Sequence, residues 1–262
     1  MNNKKVVFID YDGTLYSEKH KRPSYRIIEL LVLAKNNNID IYLSTGRTLL
    51  TLAHEKSILE NIKGVLGANG SFIYSEGKMI NVNYISKNML IDLYKYTKEN
   101  NINIAFFSKT YAYTSFCDNA LLDRFKTFNN VNVIDIYNSY EIVEEIELVC
   151  LYEEETKIDV LAQRFPKLTI YKWGTWGSDV VNKGCTKGRA ITDVIKLYGY
   201  DFNNTYGIGD GLNDIEMFNS VNHSIAMGNA SDYVKKHAKR VTSNIEDDGL
   251  EEVLEDIIYG KM

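Results

Sequence analysis

The 262-residue chain lacks any long run of apolar residues. No stretch approaches the roughly 18 apolar residues that a membrane-spanning helix requires, so we expect no membrane partner. The N-terminal segment MNNKKVVFIDYDG has too short an apolar core for a secretion signal. These two absences favour a cytoplasmic protein.

Cysteines and basic clusters are scarce as well. Cys117, Cys150 and Cys185 are far apart and form no Cys-x-x-Cys pair, which argues against a disulfide framework or a zinc site. The net charge is −5, the pI is about 5.5 and no Lys/Arg cluster occurs, so we expect no nucleic-acid partner. The sequence gives no indication of a protein partner.

The first 83 residues alternate strand and helix patterns, which predicts a parallel sheet with helices on both faces. A hairpin is expected around Glu76-Gly77, after the last of these elements. The predicted elements are a strand over 6–9, a helix over 24–35, a strand over 39–44, a helix over 48–60 and a strand over 64–69.

The middle of the chain, residues 84–182, is rich in Tyr, Asn and Glu and predicts a second α/β domain. Its predicted strands are IAFFS, ELVCLY, LTIYKW and DVV, and its predicted helices lie over 87–99, 118–127 and 156–164. The first pattern returns after residue 183, with strands over 205–210 and 223–227 and helices over 187–198, 213–219, 231–238 and 249–259. We therefore predict an α/β core, 1–83 plus 183–262, interrupted by the inserted domain 84–182.

Carboxylates follow two of the apolar strands. Asp10 and Asp12 follow VVFI, and Asp210 and Asp214 follow TYGIG. Because ligands bind beyond the carboxyl ends of parallel strands, these four aspartates are expected to converge if both strands are central. Neighbouring anions need a positive partner, and a donor set made only of oxygen favours Mg²⁺.

Two further segments supply groups that suit an anion. In YLSTGR, the hydroxyls of Ser44 and Thr45 stand at the end of a strand, and Gly46 and Arg47 follow with backbone that can hold an anionic oxygen. In NKGCTKGRAI, Lys183 and Lys187 precede or begin a helix. A lysine is normally unfavourable at the positive end of a helix dipole, so Lys187 is expected to face an anion.

Together these groups predict phosphoryl transfer. Asp10 would attack phosphorus to form an aspartyl-phosphate, and Asp12 would act as the general acid and then as the general base. Mg²⁺ would neutralise charge, and Thr45 and Lys187 would stabilise the phosphoryl oxygens. The substrate class that follows is a small phosphorylated metabolite.

The motifs DYDGT, STGR, TKG and GDGLND resemble, in this order, the four motifs of the haloacid-dehalogenase-like phosphatases. The segment AMGNASDYVKKHAKRVTSNIEDDGL is similar to the tail of their Cof-type sugar-phosphatase branch. The resemblance covers about residues 1–83 and 183–262, and it implies a Rossmann-like parallel-sheet core. The inserted α/β domain then corresponds to the branch's cap, which sets substrate specificity.

The resemblance also implies roles for single residues. Asp10 is the nucleophile and Asp12 the acid/base, and the Asp12 carbonyl joins Asp10, Asp210 and Asp214 around Mg²⁺, with Asp214 reaching it through water. Thr45 is the second-motif hydroxyl, with Ser44 as the adjacent alternative, and Lys187 the third-motif lysine, with Lys183 as the alternative. Asn213 contacts the phosphate or orients a ligand, and Asn229 lines the site.

Two other functions fit the same residues. A phosphomutase of the phosphomannomutase type would keep the chemistry and return the phosphate to its substrate. A regulatory protein that binds a phosphometabolite would use the site without turnover. For the phosphatase, Trp173 or Trp176 of KWGTWGSD is a candidate substrate contact, or else part of the inserted domain's own core.

Overall fold

The computed structural model describes residues 4–17, 19, 23–116, 118–129, 131–136 and 144–262. The chain divides into two compact units. The core unit comprises Met1–Thr45, Glu55–Asn81 and Thr186–Met262, and the inserted unit comprises Gly46–His54 and Val82–Cys185. The inserted unit therefore includes a short segment from the first third of the chain; the boundaries at 83 and 183 stay predictions.

Strands and helices alternate along most of the chain. The strands are β1 Val6–Ile9, β2 Asp40–Ser44, β3 Gly64–Gly67, β4 Phe72–Ser75, β5 Lys78–Val82, β6 Asn103–Phe107, β7 Ala112–Ser115, β8 Val133–Asp135, β9 Leu148–Tyr152, β10 Leu168–Lys172, β11 Ser178–Asn182, β12 Thr205–Gly209, β13 His223–Ala226 and β14 Arg240–Val241. The helices are α1 Tyr25–Asn36, α2 Leu49–Leu52, α3 Lys56–Leu59, α4 Lys87–Glu99, α5 Asn119–Asn129, α6 Glu155–Arg164, α7 Lys187–Tyr198, α8 Ile215–Asn219, α9 Asp232–Lys235 and α10 Gly249–Ile258.

The sheet of the core unit, within the residues described, has the order β14-β13-β12-β1-β2-β3-β4-β5. Strands β14 to β3 pair in parallel, and β4 is antiparallel to β3. The chain adds β2 and β3 on one side of β1 and later β12 and β13 on the other. The order of the strands therefore reverses at β1, which is the point where open α/β sheets bind ligands.

Burial explains the strongest elements of the core unit. All four residues of β1 are fully buried, as expected for a strand covered by helices on both faces. Helix α7 begins at the N-cap Thr186, whose side chain accepts from the Arg189 N–H, and ends at Gly199, which has φ +65°. Ile191 and Val194, on the buried face of α7, pack against residues of the sheet.

The inserted unit has its own mixed sheet, with the described order β10-β11-β9-β6-β7-β8. Leu90 and Leu93 of α4 and Leu161 of α6 pack with sheet residues such as Phe106 and Val149 into one cluster. A separate hydrophobic core of this kind lets a domain fold as a unit.

Several predicted elements need correction. The single helix predicted over 48–60 is wrong: α2 and α3 are separate, and Glu55 between them has φ −86° and ψ 48°. A hydrogen bond from the Tyr11 hydroxyl holds the buried Glu55 carboxylate, and this tertiary contact fixes Glu55 between the two helices. The strand predicted over 64–69 ends at Gly67, and the prediction omitted β7, β8 and β14.

Cys150 and Cys185 are buried thiols, and Cys117 lies outside the described residues. In the part of the chain that the structure describes, no helix combines the length and the apolar character needed to cross a membrane.

Candidate active site

Asp10 stands at the carboxyl end of β1, between β2 and β12. Its N–H donates to the Ile208 carbonyl at 2.9 Å, which continues the parallel pairing of β1 with β12. Asp210 directly follows β12, so the two carboxylates leave neighbouring strands at the same edge of the sheet. The structure thus brings Asp10 and Asp210, two of the four aspartates expected to converge, to the point where the order of the strands reverses.

Lys187 is the first residue of α7, and its ammonium lies between two carboxylates. The Nζ donates to Asp10 Oδ1 at 2.6 Å and to Asp214 Oδ1 at 2.5 Å. Only 1% of Lys187 is exposed. Burial alone lowers the pKa of Lys187, but the charges of Asp10 and Asp214 outweigh burial and raise it, so the ammonium stays charged.

Asp214 orients the loop that follows β12. Its Oδ2 accepts from the Asp210 N–H at 3.0 Å and from the Gly211 N–H at 2.8 Å. Both carboxylate oxygens of this fully buried side chain thus accept hydrogen bonds. Asp214 therefore fixes both Lys187 and the position of Asp210.

Three carboxylates form a group that suits a hard cation. One oxygen from each of Asp10, Asp210 and Asp214 lies within 4.8 Å of the others. Burial, and then the charge of Asp214, raises the pKa of Asp210 to about 6. Burial is also the main reason why the pKa of Asp10 is raised, although Lys187 opposes it. A donor set made of oxygens, with more negative charge than Lys187 neutralises, fits a hard divalent cation.

A tight turn after β1 carries Asp12. The Tyr11 carbonyl accepts from the N–H groups of three residues of the turn, Thr14, Leu15 and Tyr16. Gly13 has φ +81°, and a Cβ there would lie 2.4 Å from Asp210 Oδ2, so only glycine fits. Asp12 is exposed, and its charge contributes to the raised pKa of Asp210. Asp12 thus lies beside the acidic group and in contact with solvent.

Asn229, which the resemblance implies lines the site, joins this turn to the acidic group. Its Nδ2 donates to the Gly13 carbonyl at 2.8 Å and to Asp210 Oδ2 at 3.3 Å. Its Oδ1 accepts from the Ile245 N–H at 3.1 Å, which fixes the orientation of the amide.

The residues at the end of β2 and directly after it divide between the units. Ser44 and Thr45 are fully buried in the core unit, whereas Gly46 and Arg47 belong to the inserted unit. The Ser44 hydroxyl has no hydrogen-bond partner among the residues that the structure describes. Of the two predicted lysines, Lys187 reaches the aspartates, and Lys183 is an exposed residue of the inserted unit.

Trp173 and Trp176 form an aromatic group within the inserted unit. Their ring centroids are 4.8 Å apart in a T-shaped arrangement, and the Trp173 ring also lies 5.5 Å from that of Tyr152. Trp173 Nε1 donates to Asp179 Oδ1 at 3.0 Å, whereas Trp176 is 54% exposed. Trp176 is therefore the tryptophan available to a ligand, and Trp173 supports it.

Sequence reasoning assigned no role to two residues of this site. Thr14 Oγ1 donates to Asp210 Oδ1 at 3.0 Å, and Thr14 stands inside the quoted motif DYDGT. Asn69 Oδ1 accepts from Asn213 Nδ2 at 2.9 Å. The Asn-Gly pair within GANG was a turn signal that could have drawn attention to Asn69.

The comparison with known families agrees with this geometry. The model of the haloacid dehalogenase-like hydrolases matches residues 7–254, so the chain belongs to that family. The predicted class of enzyme, a phosphoric monoester hydrolase, is confirmed with it, as is the Cof-type resemblance.

Individual relatives align along nearly the whole chain. YcsE of Bacillus subtilis (strain 168), a 5-amino-6-(5-phospho-D-ribitylamino)uracil phosphatase, is 29% identical over 258 residues, covering 93% of this chain and 92% of that protein. The phosphoglycolate phosphatase of Methanobrevibacter smithii is 24% identical and covers 98% of this chain and 99% of its own. The solved structure of the HAD subclass IIB sugar phosphatase BT4131 has a TM-score of 0.82 at 25% identity, covering 99% of this chain and 100% of that one.

Proposed function

We propose that this enzyme is a Mg²⁺-dependent phosphatase that hydrolyses a small phosphorylated metabolite, such as a sugar phosphate, through an aspartyl-phosphate. The observation that carries the proposal is the buried ammonium of Lys187 between Asp10 and Asp214, with Asp210 beside them. A nucleophilic carboxylate next to a dianionic phosphate needs positive charge in a site that excludes water, and this group supplies it.

In the first step, Asp10 attacks. One oxygen of its carboxylate forms a bond to phosphorus while the bond between phosphorus and the leaving oxygen breaks. Asp12 donates its proton to that leaving oxygen, and the alcohol departs. Lys187 offsets the negative charge, and Thr45, Gly46 and Asn213 are the proposed contacts of the phosphoryl oxygens.

In the second step, water attacks the phosphorus of the aspartyl-phosphate. The Asp12 carboxylate takes the proton that the water loses, and the acyl–phosphate bond breaks to release inorganic phosphate. Asp10 returns as a carboxylate and Asp12 as an acid. The exposure of Asp12 suits this role, because the residue must meet both the leaving group and water.

Asp10, Asp210 and the carbonyl of Asp12 are the proposed ligands of Mg²⁺. A bound Mg²⁺ would supply charge that brings the Asp10 carboxylate and the phosphate dianion together. Both oxygens of Asp214 already accept hydrogen bonds, and this favours a contact of Asp214 with the ion through water.

The inserted unit is the proposed cap, which sets substrate specificity. Trp176, with its exposed ring, is the proposed contact for a sugar or base face, and Ser44, Arg47 and Asn229 are further candidates. The activities named for the relatives, on a phosphoribitylaminouracil and on phosphoglycolate, define the first substrates to test. A cytoplasmic location stays a prediction, supported by the buried thiols Cys150 and Cys185.

The deciding experiment measures phosphate release from p-nitrophenyl phosphate and from a panel of sugar, nucleotide and cofactor phosphates. The wild type is assayed with Mg²⁺ and with EDTA, next to Asp10→Asn and the exposed control Asp232→Asn. We expect release by the wild type and by Asp232→Asn with Mg²⁺, and none by Asp10→Asn or in EDTA. Undiminished release by Asp10→Asn would refute the aspartyl-phosphate.

The same panel separates the other two functions. A phosphomutase would move phosphate within the substrate without releasing it, which ³¹P NMR detects as an isomeric ester. A regulatory protein would bind one of the compounds without turnover. Net release of inorganic phosphate, lost in Asp10→Asn, is the result that selects the phosphatase.

A further inference from the structure

The turn between β3 and β4 has an uncommon backbone. Ala68, Asn69 and Gly70 have φ values of +48°, +52° and +87°, so three successive residues lie in the left-handed region. Ala68 and Asn69 are fully buried. Residues with side chains rarely adopt this conformation, and it persists only where the surroundings determine it.

The backbone of this turn holds Thr45. The Asn69 N–H donates to the Thr45 carbonyl at 3.0 Å, and the Thr45 N–H donates to the Leu66 carbonyl at 2.9 Å. Both backbone hydrogen-bonding groups of Thr45 are therefore satisfied by the strand β3 and its turn. The left-handed turn thus presents the Asn69 N–H to the residue that follows β2.

The side chain of Asn69 holds a different segment. Its Oδ1 accepts from Asn213 Nδ2 at 2.9 Å, in the loop that follows β12. One fully buried residue therefore binds, through its backbone and its side chain, two residues that are 168 positions apart in the chain. Both are proposed contacts of the phosphoryl oxygens.

The next residue of the turn reaches the third segment. A Cβ at Gly70 would lie 2.2 Å from the carbonyl oxygen of Thr186, the N-cap of α7, so the turn packs directly against the residue before Lys187. The ends of β2 and β12 and the start of α7 thus meet at one turn.

We infer that Asn69 is a positioning residue for the phosphate-binding groups, which sets Thr45 and Asn213 relative to each other and to Lys187. The inference rests on the proposed phosphatase function. Asn suits the position for two reasons. It tolerates the left-handed backbone better than most residues with a side chain, and its amide oxygen accepts the bond from Asn213.

The test separates the side chain from the backbone with Asn69→Gly, which keeps the left-handed conformation and removes the amide that accepts from Asn213. The matched control is Asn38→Gly in the same unit, because Asn38 has φ +59° and is exposed. We expect kcat/KM to fall about 10- to 100-fold in Asn69→Gly, mostly through kcat, since small misplacements of site groups cost about that much. Asn38→Gly is expected to match the wild type.

A double-mutant cycle distinguishes positioning from a general loss of structure. Asn213→Ala should reduce kcat/KM by itself, and Asn69→Gly should add little to it, because both changes remove one shared interaction. Two results would overturn the inference while the phosphatase function stands. One is a double variant whose loss of kcat/KM is the product of the two single losses, and the other is an Asn69→Gly enzyme equal to the wild type. A wild type that releases no phosphate from any compound would instead refute the proposed function itself.

Discussion

The Nζ of Lys187 lies 2.6 Å from the Oδ1 of Asp10, and both side chains are almost fully buried. Helix α7 delivers the lysine and β1 delivers the aspartate, from positions 177 residues apart in the chain. Removing water from this pair makes each charge depend on the other. This relationship ties the stability of the core unit to the chemistry of its site.

Lys187→Met is expected to abolish phosphate release and to destabilise the protein. Asp10 and Asp214 would then be buried without their cation, and breaking a buried ion pair costs about 3 to 5 kcal/mol. Urea unfolding in EDTA measures the loss at pH 7. Lys183→Met, at the exposed lysine that the sequence offered as the alternative, should change neither stability nor activity.

Asp210→Asn is expected to leave thermal stability unchanged or higher without metal, and to make the protein less stable than the wild type when Mg²⁺ is added. Without metal it removes one of three crowded carboxylates, whose pKa is raised to about 6, so the variant should unfold at the same or a higher temperature than the wild type. With Mg²⁺ at 100 times its Kd, the wild type should gain about 2.7 kcal/mol. Thermal unfolding with Mg²⁺ and with EDTA measures both effects; an equal gain in Asp210→Asn would exclude this residue as a ligand.

Glu147 is expected to make the inserted unit less stable as the pH rises. Burial raises the pKa of the Glu147 carboxyl from 4.5 to about 7, and the charge of Glu145 adds to this increase. The charge of Lys109 and hydrogen bonds from the Leu49 N–H and the Tyr84 hydroxyl act in the opposite direction but do not outweigh burial. The folded protein therefore holds a proton that the unfolded chain releases above its ordinary pKa. The effect of Glu147 on the free energy of unfolding is most favourable below about pH 4.5. It declines as the pH rises through 7, by on the order of 3 kcal/mol.

The two tryptophans make this decline measurable, because both belong to the inserted unit. Urea unfolding followed by tryptophan fluorescence at pH 5 and pH 8 should show the decline in the wild type and a smaller one in Glu147→Gln. The exposed Glu99→Gln, in the same unit, serves as the control. A decline of the same size in wild type and Glu147→Gln would contradict the assignment.

Trp176→Ala is expected to raise the KM for the preferred substrate several-fold with little change in kcat, since an exposed ring contributes binding that is equal in the ground and transition states. Its exposure also predicts little loss of stability. Val160→Ala, at another exposed apolar residue of the same unit, is the control. Unchanged kinetics across the substrate panel would remove Trp176 from the site.

Much of the fold could be predicted because local patterns and tertiary structure agree. The bounds predicted for β1 and α4 are those of the structure, since one is a continuous apolar run and the other begins at a capping serine, Ser86. The three residues of β8 are too few for a periodic signal. The break between α2 and α3 depends on Tyr11, 44 positions from Glu55, and no local pattern reports such a contact.

The site shows the same division. Asp10, Asp210 and Asp214 could be predicted because each follows a strand with an apolar pattern. The roles of Thr14 and Asn69 could not, since their side chains form hydrogen bonds to residues 196 and 144 positions away. The strand predicted through Asn69 also concealed the left-handed turn that gives this residue its contacts.

The pairing of β1 with β12 has a consequence for synthesis on the ribosome. Strand β1 ends at Ile9, and β12 begins at Thr205. One edge of β1 therefore stays unpaired until the ribosome has synthesised β12. At about 5 to 20 residues per second, that interval of roughly 200 residues lasts about 10 to 40 s. The inserted unit can fold during this time. A chain that stops before β12 leaves Asp10 at the end of a strand with an open edge and lacks Asp210 and Asp214, so we expect such a chain to be inactive and prone to aggregate.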